Sequence, residues 1–289
     1  MKDINYTGKG FQNFSRIFIA NNLKTENNMR LKGKVAIVTG AGRGLGRASS
    51  IEMAKEGASL IILSRTLSEL RETAKTIIDS GGDVLYLKAD ISKPNDIERV
   101  VETAVKNFRV IDILMNNAAI VGPVSPVFLI DEKDWNEVID INLRGPYLLS
   151  KAVVPLMIKQ GRGKIINVTS GLGGIVMPFF GVYSVSKAGL IHLTKIMSEE
   201  LEQYYIQVNG LDPGVMDTRM QEEIRNLGPG VLGNEVYNEF LSMKERGILK
   251  LPEKVARLAV FLASEGSDSV TGENGTEDFY TRFGYKKER

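Results

Sequence analysis

The sequence predicts an α/β domain built on a doubly wound parallel sheet, and three observations carry that prediction. Short runs of Val, Ile and Leu alternate with helix-length amphipathic stretches from Lys34 onward. The runs show little polar alternation, as expected of strands buried on both faces. The first run leads straight into a glycine-rich turn and then a helical pattern. Such alternation builds βαβ units with right-handed crossovers and helices on both faces of the sheet. No internal repeat or linker divides the pattern, so a single domain is expected.

In order, strands are expected over 35–38, 60–63, 84–87, 113–115, 165–168 and 206–208. Helices are expected over 45–56, 67–80, 94–108, 132–158 and 182–204. Asp79-Ser80-Gly81-Gly82 ends the second helix with glycine, which tolerates the left-handed conformation of a helix stop. Ser92-Lys93-Pro94 opens the third, with Ser92 as its cap and Pro94 in the first turn.

Composition narrows the chemistry. With 289 residues, 43% hydrophobic and a net charge of +2, the chain can bury a full core and is not disordered as a whole. Zero Cys excludes disulfides, thiolate catalysis and Cys-ligated zinc, and the single His192 removes the commonest metal clusters, so no metal is expected. Charge balance excludes a basic nucleic-acid footprint. No run approaches the roughly 18 apolar residues of a membrane span. Residues 1–28 are Asn-rich, lack a signal peptide's apolar stretch, and are expected to be a disordered extension of a cytoplasmic protein. The patterned domain is expected over 29–272, with an atypical tail over 273–289.

The turn after the first strand reads Thr39-Gly40-Ala41-Gly42-Arg43-Gly44-Leu45-Gly46. Glycines there let the backbone bend tightly beside a pyrophosphate seated on the free N–H groups of the helix start. It fits neither G-x-G-x-x-G nor the P-loop, because position 45 is Leu and position 46 is Gly. The spacing is T-G-x-x-x-G-x-G, through Gly40, Gly44 and Gly46.

This turn resembles that of the short-chain dehydrogenase/reductase family, single-domain branch, including its 3-oxoacyl-reductase-like members. Further matches follow in family order from about Lys32 to Gly272. Asn116-Asn117-Ala118-Ala119 stands where the family has N-N-A-G, with Ala119 in place of the last glycine. Pro213-Gly214-Val215-Met216-Asp217-Thr218 matches the P-G-x-x-x-T segment beside the nicotinamide. The resemblance implies a Rossmann-type fold and a nicotinamide dinucleotide along Gly40, Arg43, Gly44, Leu45, Gly46, Asn117, Ala118, Pro213, Gly214, Val215 and Thr218, with Asp90 at the adenine.

The tip of the second strand decides which dinucleotide. An acid there binds the ribose hydroxyls and repels a 2′-phosphate, whereas an Arg accommodates that phosphate. By the resemblance, Ser64 takes the place of the selective acid, Arg65 follows, and Arg43 adds a second guanidinium. Two arginines without an acid point to NADP over NAD.

The reacting group is sought in Tyr183-Ser184-Val185-Ser186-Lys187, whose Tyr and Lys share one helix face. Such pairs also arise by chance, and Tyr147–Lys151 has the same spacing. Only Tyr183 has Ser170, 13 residues earlier, at the end of a predicted strand. Tyr147, Ser184, Ser186, His192 and Trp135 are therefore assigned to structure or packing. A phenol with a pKa near 10 needs roughly 4 kcal/mol to titrate near neutrality, and an ammonium about 4 Å away supplies that order at an effective dielectric near 20. The resemblance makes Tyr183 the acid/base, Lys187 its tuner and the holder of the nicotinamide ribose, Ser170 the partner of the substrate oxygen, and Asn142 a proton relay.

Residues 216–251, with Gly228-Pro229-Gly230, are expected to form a substrate lid, and Asp212 stands where a small residue is common. Glu273-Asn274-Gly275-Thr276 replaces the family's last hydrophobic strand, which puts the seventh strand in doubt. The expected activity is NADP-dependent interconversion of a ketone and a secondary alcohol on a small-molecule substrate, by a homodimer or homotetramer. An NAD-dependent sugar or steroid dehydrogenase, a same-fold lyase or epimerase, and a non-catalytic dinucleotide-binding regulator are the alternatives.

Overall fold

The structure, a computed structural model, describes residues 29–287. The extension expected over 1–28 lies outside the described residues. Six apolar runs form the strands β1 (Val35–Thr39), β2 (Ser59–Ser64), β3 (Val84–Lys88), β4 (Ile113–Asn116), β5 (Gly163–Val168) and β6 (Ile206–Leu211). A seventh, β7 (Asn274–Gly275), completes a parallel sheet ordered β3-β2-β1-β4-β5-β6-β7. The strand order reverses between β1 and β4, and in an open α/β sheet the crevice at that point is where ligands bind.

Strand alternation divides the core between two faces. Ala36, Val38, Leu60 and Ile62 pack on one side, under α1 (Gly44–Lys55) and α10 (Pro252–Ala263). Val35, Ile37, Ile61 and Leu63 pack on the other, under α3 (Pro94–Phe108) and α5 (Gly145–Gln160). The remaining helices are α2 (Leu67–Asp79), α4 (Glu132–Ile139), α6 (Gly181–Leu201), α7 (Arg219–Asn226), α8 (Pro229–Leu232), α9 (Asn234–Glu245) and α11 (Glu277–Tyr280).

Several expectations need correction. The single helix expected over 132–158 is α4 and α5 joined by a π-helical turn, Asp140–Arg144. Ser92 does not cap α3. Pro94 occupies the first turn, Lys93 is the capping position, and the Ser92 hydroxyl instead donates to Asp90 Oδ1 at 2.7 Å. The stop of α2 is as expected, with Gly81 at φ +81° and the N–H groups of Gly81 and Gly82 donating to the carbonyls of Ile78 and Ile77. The seventh strand does form, as two residues paired with Gly210 and Leu211 of β6. Helix α10, which the sequence reading left unassigned, packs along α1.

Candidate active site

At the end of β1 the chain bends through the glycine turn into α1. Gly40 has φ +64°, in the left-handed region, and a Cβ on Gly46 would overlap the Gly40 carbonyl oxygen. Asn117 braces the bend: its Nδ2 donates to Thr39 O at 2.8 Å, while Thr39 Oγ1 accepts from the N–H groups of Asn117 and Ala118, each at 2.9 Å. Helix α1 has no side-chain cap, so its first N–H groups are available to an anion. Gly40, Gly44 and Leu45 line a cleft of about 1330 Å³ together with Tyr183 and the loop carrying Pro213, Gly214, Val215 and Thr218, whose side chain comes within 3.6 Å of where a Cβ on Gly44 would stand. Its length and its glycine cradle fit a nicotinamide dinucleotide.

At the tip of β2, Ser64 Oγ is occupied with its own turn, 3.1 Å from both Thr66 N and Thr66 O. Arg65 faces Glu137 at 3.6 Å. Asp90 lines the cleft and holds Ser92 through its Oδ1. Sequence reasoning missed Glu69, whose Oε1 lies 3.8 Å from Arg43 Nη1. It is an acid in the first turn of α2, five residues beyond Ser64, and that placement is the signal that could have found it.

Tyr183 and Lys187 lie one turn apart on α6, both buried, with the Lys187 Nζ 5.7 Å from the centre of the Tyr183 ring. The ammonium donates to the Val168 carbonyl at 2.7 Å, which ties α6 to the end of β5. Ser170 follows β5, lines the same cleft and accepts the Leu172 N–H at 3.2 Å. The expected lowering of the phenol is not found. Burial pushes Tyr183 up to about 12; the Ser170 hydroxyl pulls it down and the Asp212 carboxylate raises it. Burial pushes Lys187 down to about 8, against the upward pull of Asp212. Desolvation is the largest cause in both groups, and it favours the neutral form of each.

Asn142 lies in the π-helical turn and is fully buried. Its Oδ1 accepts from Ile120 N at 2.9 Å, and its Nδ2 donates to Ile120 O at 2.8 Å and to Ser186 Oγ at 3.0 Å. Ser186 in turn donates to the Tyr183 carbonyl at 2.7 Å. Asn142 therefore joins the loop after β4 to the helix of Tyr183. Tyr147 and Lys151 lie outside the cleft; Tyr147 is 45% exposed on α5 rather than packed, and His192 is exposed too.

The segment after Thr218 forms α7, α8 and α9, in which Ile224, Leu232 and Phe240 close on Phe180. Its base is pinned by Lys250, whose N–H donates to Val215 O at 3.0 Å and whose carbonyl accepts from Asp217 N at 2.9 Å. Among the described residues no helix is long and apolar enough to cross a membrane, and no cluster of His, Asp or Glu could hold a metal ion.

Comparison with known proteins agrees with this fold. The family described as short chain dehydrogenase matches residues 34–227. A 3-oxoacyl-(acyl-carrier-protein) reductase of Thermotoga maritima is 37% identical over 245 residues, which are 85% of this chain and 96% of that protein. A 2-dehydro-3-deoxy-D-gluconate 5-dehydrogenase of Dickeya dadantii is 34% identical over 250 residues, 85% of this chain and 94% of that protein. Among solved structures, levodione reductase superposes with a TM-score of 0.80 at 27% identity, covering 86% of this chain and 96% of that one.

Proposed function

The chain belongs to the short-chain dehydrogenase family, and from that premise we propose that it is an NADP-dependent reductase of ketones with Tyr183 as its proton donor. Oxidoreduction at CH–OH or carbonyl groups comes with the family, and a nicotinamide dinucleotide is the family's cofactor. The reading rests on one observation: Ser170, Tyr183 and Lys187 line the same cleft as the glycine turn.

When bound, the dinucleotide supplies the hydride that adds to the carbonyl carbon. Ser170 donates a hydrogen bond to the carbonyl oxygen and stabilises the charge that develops there. Tyr183, held protonated by its burial, gives its proton to that oxygen as the alcohol forms. Lys187, fixed on the Val168 carbonyl, is mostly charged at neutral pH and offsets the phenolate left behind. Asn142 is the positioning residue that holds the helix of Tyr183 against the loop after β4. Arg43 and Arg65 support NADP as the preferred dinucleotide: both guanidiniums are half-exposed, and their ion pairs with Glu69 and Glu137, at 3.8 and 3.6 Å, are long enough for a 2′-phosphate to displace. Gly40, Leu45, Ser64, Asp90, Ala118 and Thr218 border the path of the dinucleotide. Apolar side chains of Leu172, Met177, Phe180 and Met220 line the substrate end, which suits a ketone with a hydrophobic body.

The test is NADPH consumption across a panel of ketones, with Tyr183→Phe as the control. The variant is expected to lose at least about 100-fold in kcat, the low end for a positioned proton donor. Equal rates for the two proteins would reject the assignment.

A further inference from the structure

Glu69 lies between two arginines that come from different segments of the cleft lining, the glycine turn and the start of α7. Arg43 Nη1, in the glycine turn, and Arg219 Nη1, at the first position of α7, each stand 3.8 Å from the same atom, Glu69 Oε1. The carboxylate sits over Gly42 at the tip of β2. A Cβ built on Gly42 would lie 3.0 Å from Glu69 Oε2 and 3.3 Å from Ser64 Oγ. Glu69 is the more enclosed partner, its side chain 27% exposed against 53% and 61% for the two arginines. The guanidiniums can therefore turn away from Glu69 more readily than Glu69 can leave the site.

An acid at this point hydrogen-bonds the ribose hydroxyls and repels a 2′-phosphate, whereas arginine does the reverse. Both kinds of residue are present here, facing each other at ion-pair separations of 3.8 Å, too long for a hydrogen bond. A phosphate carries more charge and more acceptor oxygens than one carboxylate, and guanidinium pairs with it through two parallel bonds. Resting on the NADP reading above, we propose that Glu69 sets the dinucleotide preference, as an internal anion that a 2′-phosphate must displace from Arg43 and Arg219. Arg219, which opens the lid segment, then joins Arg43 and Arg65 in the 2′-phosphate subsite. Glu69 lessens the preference for the phosphorylated dinucleotide, and the site retains affinity for the unphosphorylated one through hydrogen bonds from the ribose hydroxyls to Glu69.

Binding alone can test this, without turnover. Adenosine 2′,5′-bisphosphate and AMP, which differ only in the 2′-phosphate, are titrated calorimetrically into the full-length wild type, Glu69→Gln and Arg219→Gln, each first checked for an unchanged melting temperature. Glu69→Gln is expected to bind the bisphosphate at least fivefold more tightly, with AMP unchanged or weaker. Arg219→Gln is expected to bind the bisphosphate at least threefold more weakly, with AMP unchanged. A bisphosphate-to-AMP ratio in Glu69→Gln equal to that of the wild type overturns the proposal, as does an equal loss of both ligands in Arg219→Gln. A wild type with no preference for the bisphosphate, combined with a gain in Glu69→Gln, supports the role of Glu69 and overturns the NADP reading instead. A third probe, ADP, adds a pyrophosphate without the 2′-group; if Arg219→Gln weakens ADP and leaves the bisphosphate untouched, Arg219 serves the pyrophosphate and the proposed subsite is wrong.

Discussion

At the scale of single residues, the charge of Lys187 is the quantity most open to titration. Its ammonium is held near a pKa of about 8 because burial costs more than Asp212 returns. The lysine is charged below that value and neutral above it. Carbonyl reduction is therefore expected to fall as pH rises through about 8, while the phenol at about 12 stays protonated throughout. Removing the Asp212 charge by Asp212→Asn takes away the upward pull, so the alkaline limb of kcat should move to lower pH. A pH profile of initial rates checks this, and a limb that stays in place or moves upward contradicts it. Asp212 was legible as an oddity before Pro213, but its bearing on Tyr183 and Lys187 was not, because β6 and α6 meet only in the fold. Glu69 was hidden for the same reason. A carboxylate on the first turn of α2 reads as favourable to the helix dipole until α7 brings Arg219 to the same oxygen.

At the scale of elements, the buried strands were the most legible parts, because Val, Ile and Leu on both faces leave few other readings. Their ends moved by one to three residues: β6, for example, runs on through Asn209, Gly210 and Leu211, whose polar and small residues hide its continuation. Helix α10 was lost because nearly every residue from Val255 to Ala263 is buried, leaving little polar face to mark a helical period. The π-helical turn has no local signature either; it exists because Asn142 must reach Ile120 and Ser186 together. Asn142→Ala would leave the Ile120 N–H and carbonyl without side-chain partners. Buried groups left unpaired cost about 1–3 kcal/mol each, about 2–6 kcal/mol for the two, and because Ile120 is only part-buried the lower part of that range, about 2–4 kcal/mol, is expected in urea unfolding. Asn142→Asp keeps the acceptor for Ile120 N but sets a buried carboxylate oxygen against Ile120 O, so at neutral pH it should recover none of that stability. A loss below about 1 kcal/mol for the alanine variant would show that the turn holds without its central side chain.

For the whole molecule, the tail links stability to the cofactor end of the cleft. The sequence from Glu273 onward lacks an apolar strand, and the structure replaces it with two residues of β7 and an aromatic plug. Tyr280 is fully buried and donates to Gly210 O at 2.7 Å, with Phe279 and Phe283 packed around it. Glu277 faces Lys250 at 3.2 Å, and Lys250 brackets Val215 and Asp217 through its backbone. The tail and the loop after β6 thus share one ion pair, and two substitutions can separate their roles. Tyr280→Phe removes a buried donor and leaves the pair intact; about 1 kcal/mol of stability should go, with nucleotide affinity unchanged. Glu277→Gln leaves Lys250, whose side chain is 31% exposed, without its anion. A cost of about 1–2 kcal/mol follows, between the limits for exposed and buried pairs. For a domain of this size that lowers Tm by about 2–8 °C, at about 2–4 °C per kcal/mol. Because Lys250 anchors the loop, Glu277→Gln should also raise the Kd for NADPH severalfold, by a change that Tyr280→Phe does not share. If both variants weaken NADPH binding in proportion to their loss of Tm, the tail acts on the site through general stability, and the ion pair has no separate part in holding the loop.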